Sequence, residues 1–252
     1  VDNGSWLTRL HPFTKLLYIL TAIAVTVLSG NLWIYAAFIV LSMAILASGR
    51  VLKRAVPLLA FSFTILITIL IIHGLFNHEN ATLLIAIGPA HFYREGVMYA
   101  VKIGANVLNM LLSFAILVLT TKPEILVENL ERAGFSPKFG YIINSVFQII
   151  PQMMGTMSTI TDAQRSRGME TEGKLSVRIK AFLPLISPVV SSSLINTRER
   201  AIALEVRGFS RKGKRTYLTK EKPLAISRFI NILLFAILIF AIAWKIKEKI
   251  SV

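Results

Sequence analysis

The sequence predicts an all-α, polytopic membrane protein with about five transmembrane helices and a cytoplasmic helical domain inserted before the last span. Three observations predict this. First, 54% of the 252 residues are hydrophobic, 16% are charged and the mean hydropathy is +0.65, which is too apolar for a soluble domain. Second, the apolar residues gather into runs that approach the roughly 20 residues needed to cross a bilayer. Third, the net charge of +15 is unevenly spread, with 17 Lys or Arg against 9 Asp or Glu in residues 122–222. Basic residues gather on the cytoplasmic side of membrane proteins. The chain has no cysteine, which excludes disulfides, thiolate metal sites and thiol catalysis.

The first span covers about 13–29 and opens with Leu10-His11-Pro12-Phe13-Thr14-Lys15, where proline marks the start. Its apolar run from Leu16 to Leu28 follows Arg9 and Lys15 and resembles a signal peptide. No small-x-small cleavage site follows and a second apolar run starts at once, so it reads as a retained signal anchor. Gly30-Asn31 makes a tight turn into span two, about 32–48. A basic loop, Gly49-Arg50-Val51-Leu52-Lys53-Arg54, leads to span three, about 56–74. Residues 75–95 are close to neutral, and Gly88-Pro89 is a turn signal compatible with a small hairpin. Span four covers about 97–120. Lys102 lies near its outer end and can snorkel. Asn106 and Asn109 lie within it, where bonds to neighbouring helices are worth about 1 kcal/mol each. Span five covers about 224–243, and Lys245, Lys247 and Lys249 follow.

This pattern divides the chain into a four-span domain, 1–121, a basic segment, 122–222, and a last span with tail, 223–252. The charge bias puts the N-terminus, the loop at Arg50, Lys53 and Arg54, and the 122–222 segment in the cytoplasm. The C-terminal tail then falls outside, which its lysines oppose. A sixth span hidden in 181–195 would bring the tail inside, but that run is only about fifteen residues long and contains Pro184 and Pro188.

The basic segment opens with a short helix over 122–134, started by Pro123 and ended by Ala133-Gly134. A long helix follows over about 138–167. Its apolar residues Ile142, Val146, Ile149, Met153, Met157 and Ile160 recur at helical spacing, while Asn144, Gln148, Gln152 and Thr159 take another face. Pro151 should kink it. A second long helix covers about 175–207, patterned by Ile179, Phe182, Ile186, Val189, Leu194 and Ala201 and bent at Pro184 and Pro188.

Both long helices run into the same terminator. The first ends Gln164-Arg165-Ser166-Arg167-Gly168, the second Glu205-Val206-Arg207-Gly208. Glycine just past a helix end takes the left-handed conformation without steric cost, and a cation in the last turn suits the negative end of the helix dipole. Capping and solvation explain one such pair. Two copies on two apolar-faced helices read as two prongs of a docking device.

These residues resemble the transmembrane T component of energy-coupling factor (ECF) transporters, the EcfT/CbiQ family, whose signature is two Ala-Arg-Gly motifs in a cytoplasmic coupling domain. Ser166 and Val206 stand where that signature has alanine. His11-Pro12-Phe13-Thr14-Lys15, Phe209 and the order of elements fit as well, so the resemblance covers nearly the whole chain. It implies a non-catalytic coupling subunit of an ATP-driven importer of a vitamin, vitamin precursor or transition metal ion. Gln164, Arg165, Ser166, Arg167, Gly168, Glu205, Val206, Arg207 and Gly208 would bind two ABC-type ATPase subunits. The apolar faces, including Met153, Met154, Met157, Phe182 and Ile186, would contact a substrate-capturing S component. The methionines could equally be ordinary core filling. ATP and Mg would be bound by the partner ATPases, and no cofactor by this chain.

Other signals fail on their chemistry. Residues 168–174 nearly match a phosphate loop, but Leu175 stands where Ser or Thr is needed for Mg²⁺, and Glu170 and Glu172 would repel phosphates. His73, His78, Glu79 and His91 lack the spacing of a helical zinc site. The run Arg211-Lys212-Gly213-Lys214-Arg215 fits lipid headgroups, and no motif supports nucleic acid. A self-contained secondary transporter or channel is the alternative; it would want paired ionisable residues inside its spans, which are nearly absent. An intramembrane enzyme lacks the Cys, zinc or Ser-His constellation it would need.

Overall fold

The computed structural model describes residues 5–76, 82–87, 90–169, 174–211 and 225–250. Its elements in order are α1 (Trp6–Arg9), α2 (Pro12–Ser29), α3 (Leu32–Ser48), α4 (Leu52–Phe76), β1 (Leu83–Ile87), β2 (Ala90–Tyr93), α5 (Arg94–Thr120), α6 (Pro123–Arg132), α7 (Pro137–Ser166), α8 (Leu175–Val206) and α9 (Ala225–Ile250). Among the described residues the protein is all-α apart from one small hairpin. Among the described residues, α2, α4, α5 and α9 are long and apolar enough to cross a membrane, and α3 is a shorter apolar helix of 17 residues. Residues 181–195, the candidate sixth span, lie inside α8, which runs on into Arg198-Glu199-Arg200 and is not among those four. The chain forms two compact units, Val1–Asn129 with Glu221–Val252, and Leu130–Lys220.

In the first unit the sequence sets each helix boundary locally. His11 caps α2, its Nδ1 accepting from the Phe13 amide at 3.3 Å, and Pro12 takes the first helical position, where a missing N–H is harmless. Gly30 closes the helix in the left-handed region at φ +59°. Asn31 then caps α3 by accepting from the Trp33 amide at 3.1 Å. Helix α4 starts earlier than the apolar run does, taking Lys53 and Arg54 into its first turn. Composition alone hides this, because a helix start tolerates polar residues.

The core gathers Tyr18 and Ala22 of α2, Leu46 of α3, Ala55 of α4, Leu112, Ala115 and Ile116 of α5 and Leu234 of α9. Polar ties fix the register within it. Tyr18 Oη and Ser42 Oγ lie 2.6 Å apart. Fully buried Asn109 donates to the Ala22 carbonyl at 3.1 Å and to Thr26 Oγ1 at 3.2 Å, the cross-helix bonding expected of it. The Oδ1 atoms of both Asn106 and Asn109 are enclosed without a hydrogen bond among the described residues. Helices α4 and α5 approach closely at Gly104, where an added Cβ would lie 2.1 Å from Leu66 Cδ2.

Between α4 and α5, β1 pairs antiparallel with β2, matching Ile87 with Ala90 and Ala86 with His91, with an irregularity between Leu83 and Ile85. Gly88-Pro89, the turn signal, lies outside the described residues.

The second unit contains α7 and α8. Helix α7 passes through Pro151, and α8 through Pro184 and Pro188, without a break in either helix. The contact between them mixes polar and apolar groups. Gln152 and Thr156 of α7 face Ser193, Asn196, Thr197 and Arg200 of α8 beside Ile149 and Met153, while Ile142, Val146, Ile150 and Met154 of α7 are exposed.

Candidate functional site

The two arginine-glycine terminators build identical turns. At the end of α7, the Gly168 amide donates to the Arg165 carbonyl at 2.9 Å and the Met169 amide to the Gln164 carbonyl at 3.0 Å. At the end of α8, the Gly208 amide donates to the Glu205 carbonyl at 2.9 Å and the Phe209 amide to the Leu204 carbonyl at 3.0 Å. Both are Schellman caps, which need a left-handed residue after the cap. Gly168 and Gly208 supply it at φ +86° and +77°. Arg167 and Arg207 sit at the C-cap, one position beyond the last helical residue.

The turn does not require the arginine. Gly134 at φ +108° forms the same pair of bonds after α6, Gly134 amide to Glu131 carbonyl and Phe135 amide to Leu130 carbonyl, with Ala133 at the cap. The guanidinium groups at 167 and 207 are thus additions to a motif that already closes. Both arginines are exposed, and neither side chain has a hydrogen bond or ion pair among the described residues. Their neighbours are more occupied. Arg165 pairs with Asp162 at 3.9 Å, and Ser166 Oγ donates to the Asp162 carbonyl at 3.0 Å. Glu205 is exposed, and Val206, at 83% exposure, covers nothing of its own chain.

The structure brings these residues together as two separate tips. Tyr141, at the start of α7, packs edge-on against Phe209, just past the end of α8, with ring centroids 4.9 Å apart. Farther along α7, Gln152 Oε1 accepts from Arg200 Nη2 at 3.2 Å. Advancing along one helix means retreating along the other, so the pair is antiparallel. Arg167 lies fifteen residues past Gln152, and Arg207 seven past Arg200 in the opposite direction. At a rise of 1.5 Å per residue, the two tips stand on the order of 30 Å apart. Of the candidate apolar contacts, Met154, Phe182 and Ile186 are exposed, while Met153 and Met157 are half-buried.

Two features escaped sequence reasoning. The first is the Gln152–Arg200 bond, since nothing in the pattern couples residues 48 apart. The second is Lys15, which composition treats as a flanking charge. Only 2% exposed, it reaches the end of α5, donating to the Thr120 carbonyl at 3.2 Å and to Thr121 Oγ1 at 2.8 Å. A cation there answers the carbonyls left over at a helix C-terminus. Its place one turn into an apolar helix was the available signal.

Among the described residues no group of His, Asp or Glu could hold a metal ion. His78 and Glu79 lie outside the described residues, as do residues 170–173 of the phosphate-loop-like stretch and 212–215 of the basic run.

The architecture therefore defines a class: a polytopic helical membrane protein whose two longest described helices, α7 and α8, end in exposed, arginine-bearing caps. The particular family follows from comparison. The family described as CbiQ, cobalt transport protein, matches residues 3–218, and the chain belongs to it. Similar proteins include the energy-coupling factor transporter transmembrane protein EcfT of Listeria innocua, 28% identical over 228 residues and covering 85% of this chain and 84% of its own. The protein of that name from Bacillus subtilis is 26% identical over 238 residues, covering 87% and 86%. That of Brevibacillus brevis is 29% identical over 234 residues, covering 87% and 86%.

Proposed function

We propose that the chain is the non-catalytic transmembrane coupling subunit of an ECF-type, ATP-driven importer of a vitamin, vitamin precursor or transition metal ion. In this reading the N-terminus and the 122–222 domain are cytoplasmic, and residues 1–121 and 223–252 hold the membrane. The tip formed by Gln164, Arg165, Ser166, Arg167 and Gly168, and the tip formed by Glu205, Val206, Arg207 and Gly208, each dock into one of two ABC-type ATPases. Met153, Met154, Met157, Phe182 and Ile186 meet the S component that captures the substrate. ATP and Mg belong to the ATPases, lipid surrounds the spans, and nucleic acid is not a partner.

The observation that carries this reading is the pair of exposed arginines on Schellman caps that close equally well with alanine. A guanidinium projected from a rigid turn suits bidentate pairing with a carboxylate in a partner groove. Removing one partner of a buried, hydrogen-bonded charge pair costs about 2–5 kcal/mol. Arg167→Ala or Arg207→Ala should therefore weaken ATPase binding at least about 30-fold and stop transport, while the purified chain keeps its helical content. Normal ATPase binding and transport by either variant would refute the docking role. Uptake by vesicles holding this chain alone, without ATPases, would establish the self-contained transporter instead.

A further inference from the structure

The contact between α7 and α8 has an unusual composition for two helices whose outer faces are apolar. Around a cavity of about 20 Å³ it assembles Gln152, Thr156, Ser193, Asn196, Thr197 and Arg200 beside Ile149 and Met153. A hydrogen bond crosses this seam, from Arg200 Nη2 to Gln152 Oε1 at 3.2 Å. The other terminal nitrogen, Nη1, is enclosed with no hydrogen bond among the described residues. We infer that Gln152 and Arg200 form a crossing pin: they are positioning residues that set the angle between α7 and α8 and hence the sideways placement of Arg167 relative to Arg207.

The reasoning is geometric. Apolar contact is non-directional, so it leaves helices free to choose among neighbouring crossing angles; observed pairs scatter by about 15–20° around each preferred value. A hydrogen bond is directional and weakens steeply as it bends, and one polar contact in a helix seam is known to fix register. The small side chains of Thr156, Ser193 and Thr197 and the flexible Met153 offer little steric resistance to pivoting, which leaves the Gln152–Arg200 bond as the directional contact that resists it. The tips amplify any pivot. Arg167 lies about 22 Å along α7 from Gln152, and Arg207 about 10 Å along α8 from Arg200. A pivot of about 10° would move Arg167 by roughly 4 Å, more than the length of a hydrogen bond. Gln152 is itself exposed, so breaking the bond leaves no buried amide behind, and the helices can survive its loss.

The effect on coupling rests on the function proposed above; the effect on the crossing angle does not, and one experiment can separate them. The chain has no cysteine, so spin labels placed through Ser166→Cys at the end of α7 and Leu175→Cys at the start of α8, on the same side of the crossing, report the opening of the pair by pulsed electron resonance on the full chain in nanodiscs. One distance population is expected. Arg200→Leu and, independently, Gln152→Leu should broaden it and shift its centre by about 2–4 Å. Gln152→Glu, which replaces the neutral bond with a charge-assisted one, should keep it narrow. In the unlabelled chain assembled with its ATPases, Arg200→Leu should keep ATPase binding but lower transport per ATP hydrolysed, and Gln152→Glu should keep both. An unchanged distance population in both leucine variants overturns the pin. A changed population in a chain whose tips bind no ATPase upholds the pin and overturns the docking role.

Discussion

The left-handed glycines give the sharpest handle on the tips. An L-residue in that region costs about 1–2 kcal/mol, and only glycine, or to a lesser degree asparagine, adopts it readily. At Gly168 and Gly208 a Cβ would meet nothing within 4 Å, so alanine introduces no clash and the whole cost is conformational. An alanine tip either carries this strain or unwinds the cap to escape it. In both cases the state that presents the arginine is disfavoured by about 1–2 kcal/mol, a factor of roughly 5–30 in population. Gly208→Ala should accordingly weaken ATPase binding by about 5–30-fold, and Gly168→Ala likewise. Gly208→Asn should recover most of the loss. Gly134 supplies the internal control. It has the same turn and the same open space, φ being +108°, but no arginine at its cap, so Gly134→Ala should leave ATPase affinity within about twofold while lowering thermal stability by a similar 1–2 kcal/mol. Titrating ATPase onto each variant in nanodiscs measures all of these. Wild-type affinity for Gly208→Ala, or equal losses for Ala and Asn, would show that cap geometry does not govern docking.

Three further outcomes test the membrane unit. Gly104→Ala should destabilise by about 1–2 kcal/mol, overpacking against Leu66 outweighing the better helix propensity of alanine; adding Leu66→Ala should make that second change less costly than it is alone, read by thermal unfolding in detergent, whereas simple additivity would refute the close approach. Asn109→Leu removes two bonds to α2, each worth about 0.6 kcal/mol in a membrane interior, and should lower stability by about 1 kcal/mol, with Asn106→Leu neutral or stabilising in the same assay. Lys15→Met strips both bonds from the end of α5 and should cost about 1–3 kcal/mol, lowering the thermal midpoint of the purified protein; an unchanged midpoint would mean that relieving the buried ammonium offsets the bonds lost.

Much of the fold was legible because a membrane imposes strong rules. Apolar runs announce spans, so α2, α3, α4, α5 and α9 were all anticipated, and their ends were blurred only where polar residues join a helix, as Lys53 and Arg54 join α4. The tips were legible because an Arg-Gly step after a helical pattern has one local solution, and Gly168 and Gly208 adopt it. What could not be read was pairing. Periodicity separates the faces of α7 but does not say which one meets α8, and experience with soluble proteins would bury Ile142 and Val146. Instead the face carrying Ile149, Gln152, Met153 and Thr156 turns towards α8, and Ile142 and Val146 stay exposed. Lys15 was misjudged for a related reason. A charge beside an apolar run is usually a solvated flank, and only the approach of α5 converts it into a buried cap.

The same mixed contact bears on what the second unit is suited to do. If α7 and α8 were joined only by interlocking Leu and Ile, their crossing would be stiff, since packed cores resist volume and shape change. Joined by a charged-to-neutral hydrogen bond and short hydroxyl side chains beside Ile149 and Met153, the pair has a defined rest position and a low cost of leaving it, on the order of 1.5–3 kcal/mol for the bond. The exposed apolar surfaces of Ile150, Met154, Phe182 and Ile186 then meet whatever surrounds the unit without gripping the partner helix. A lever that must move its two ends together needs long rigid arms and a yielding fulcrum. Helices of 30 and 32 residues supply the arms, and the polar crossing at Gln152 and Arg200 supplies the fulcrum.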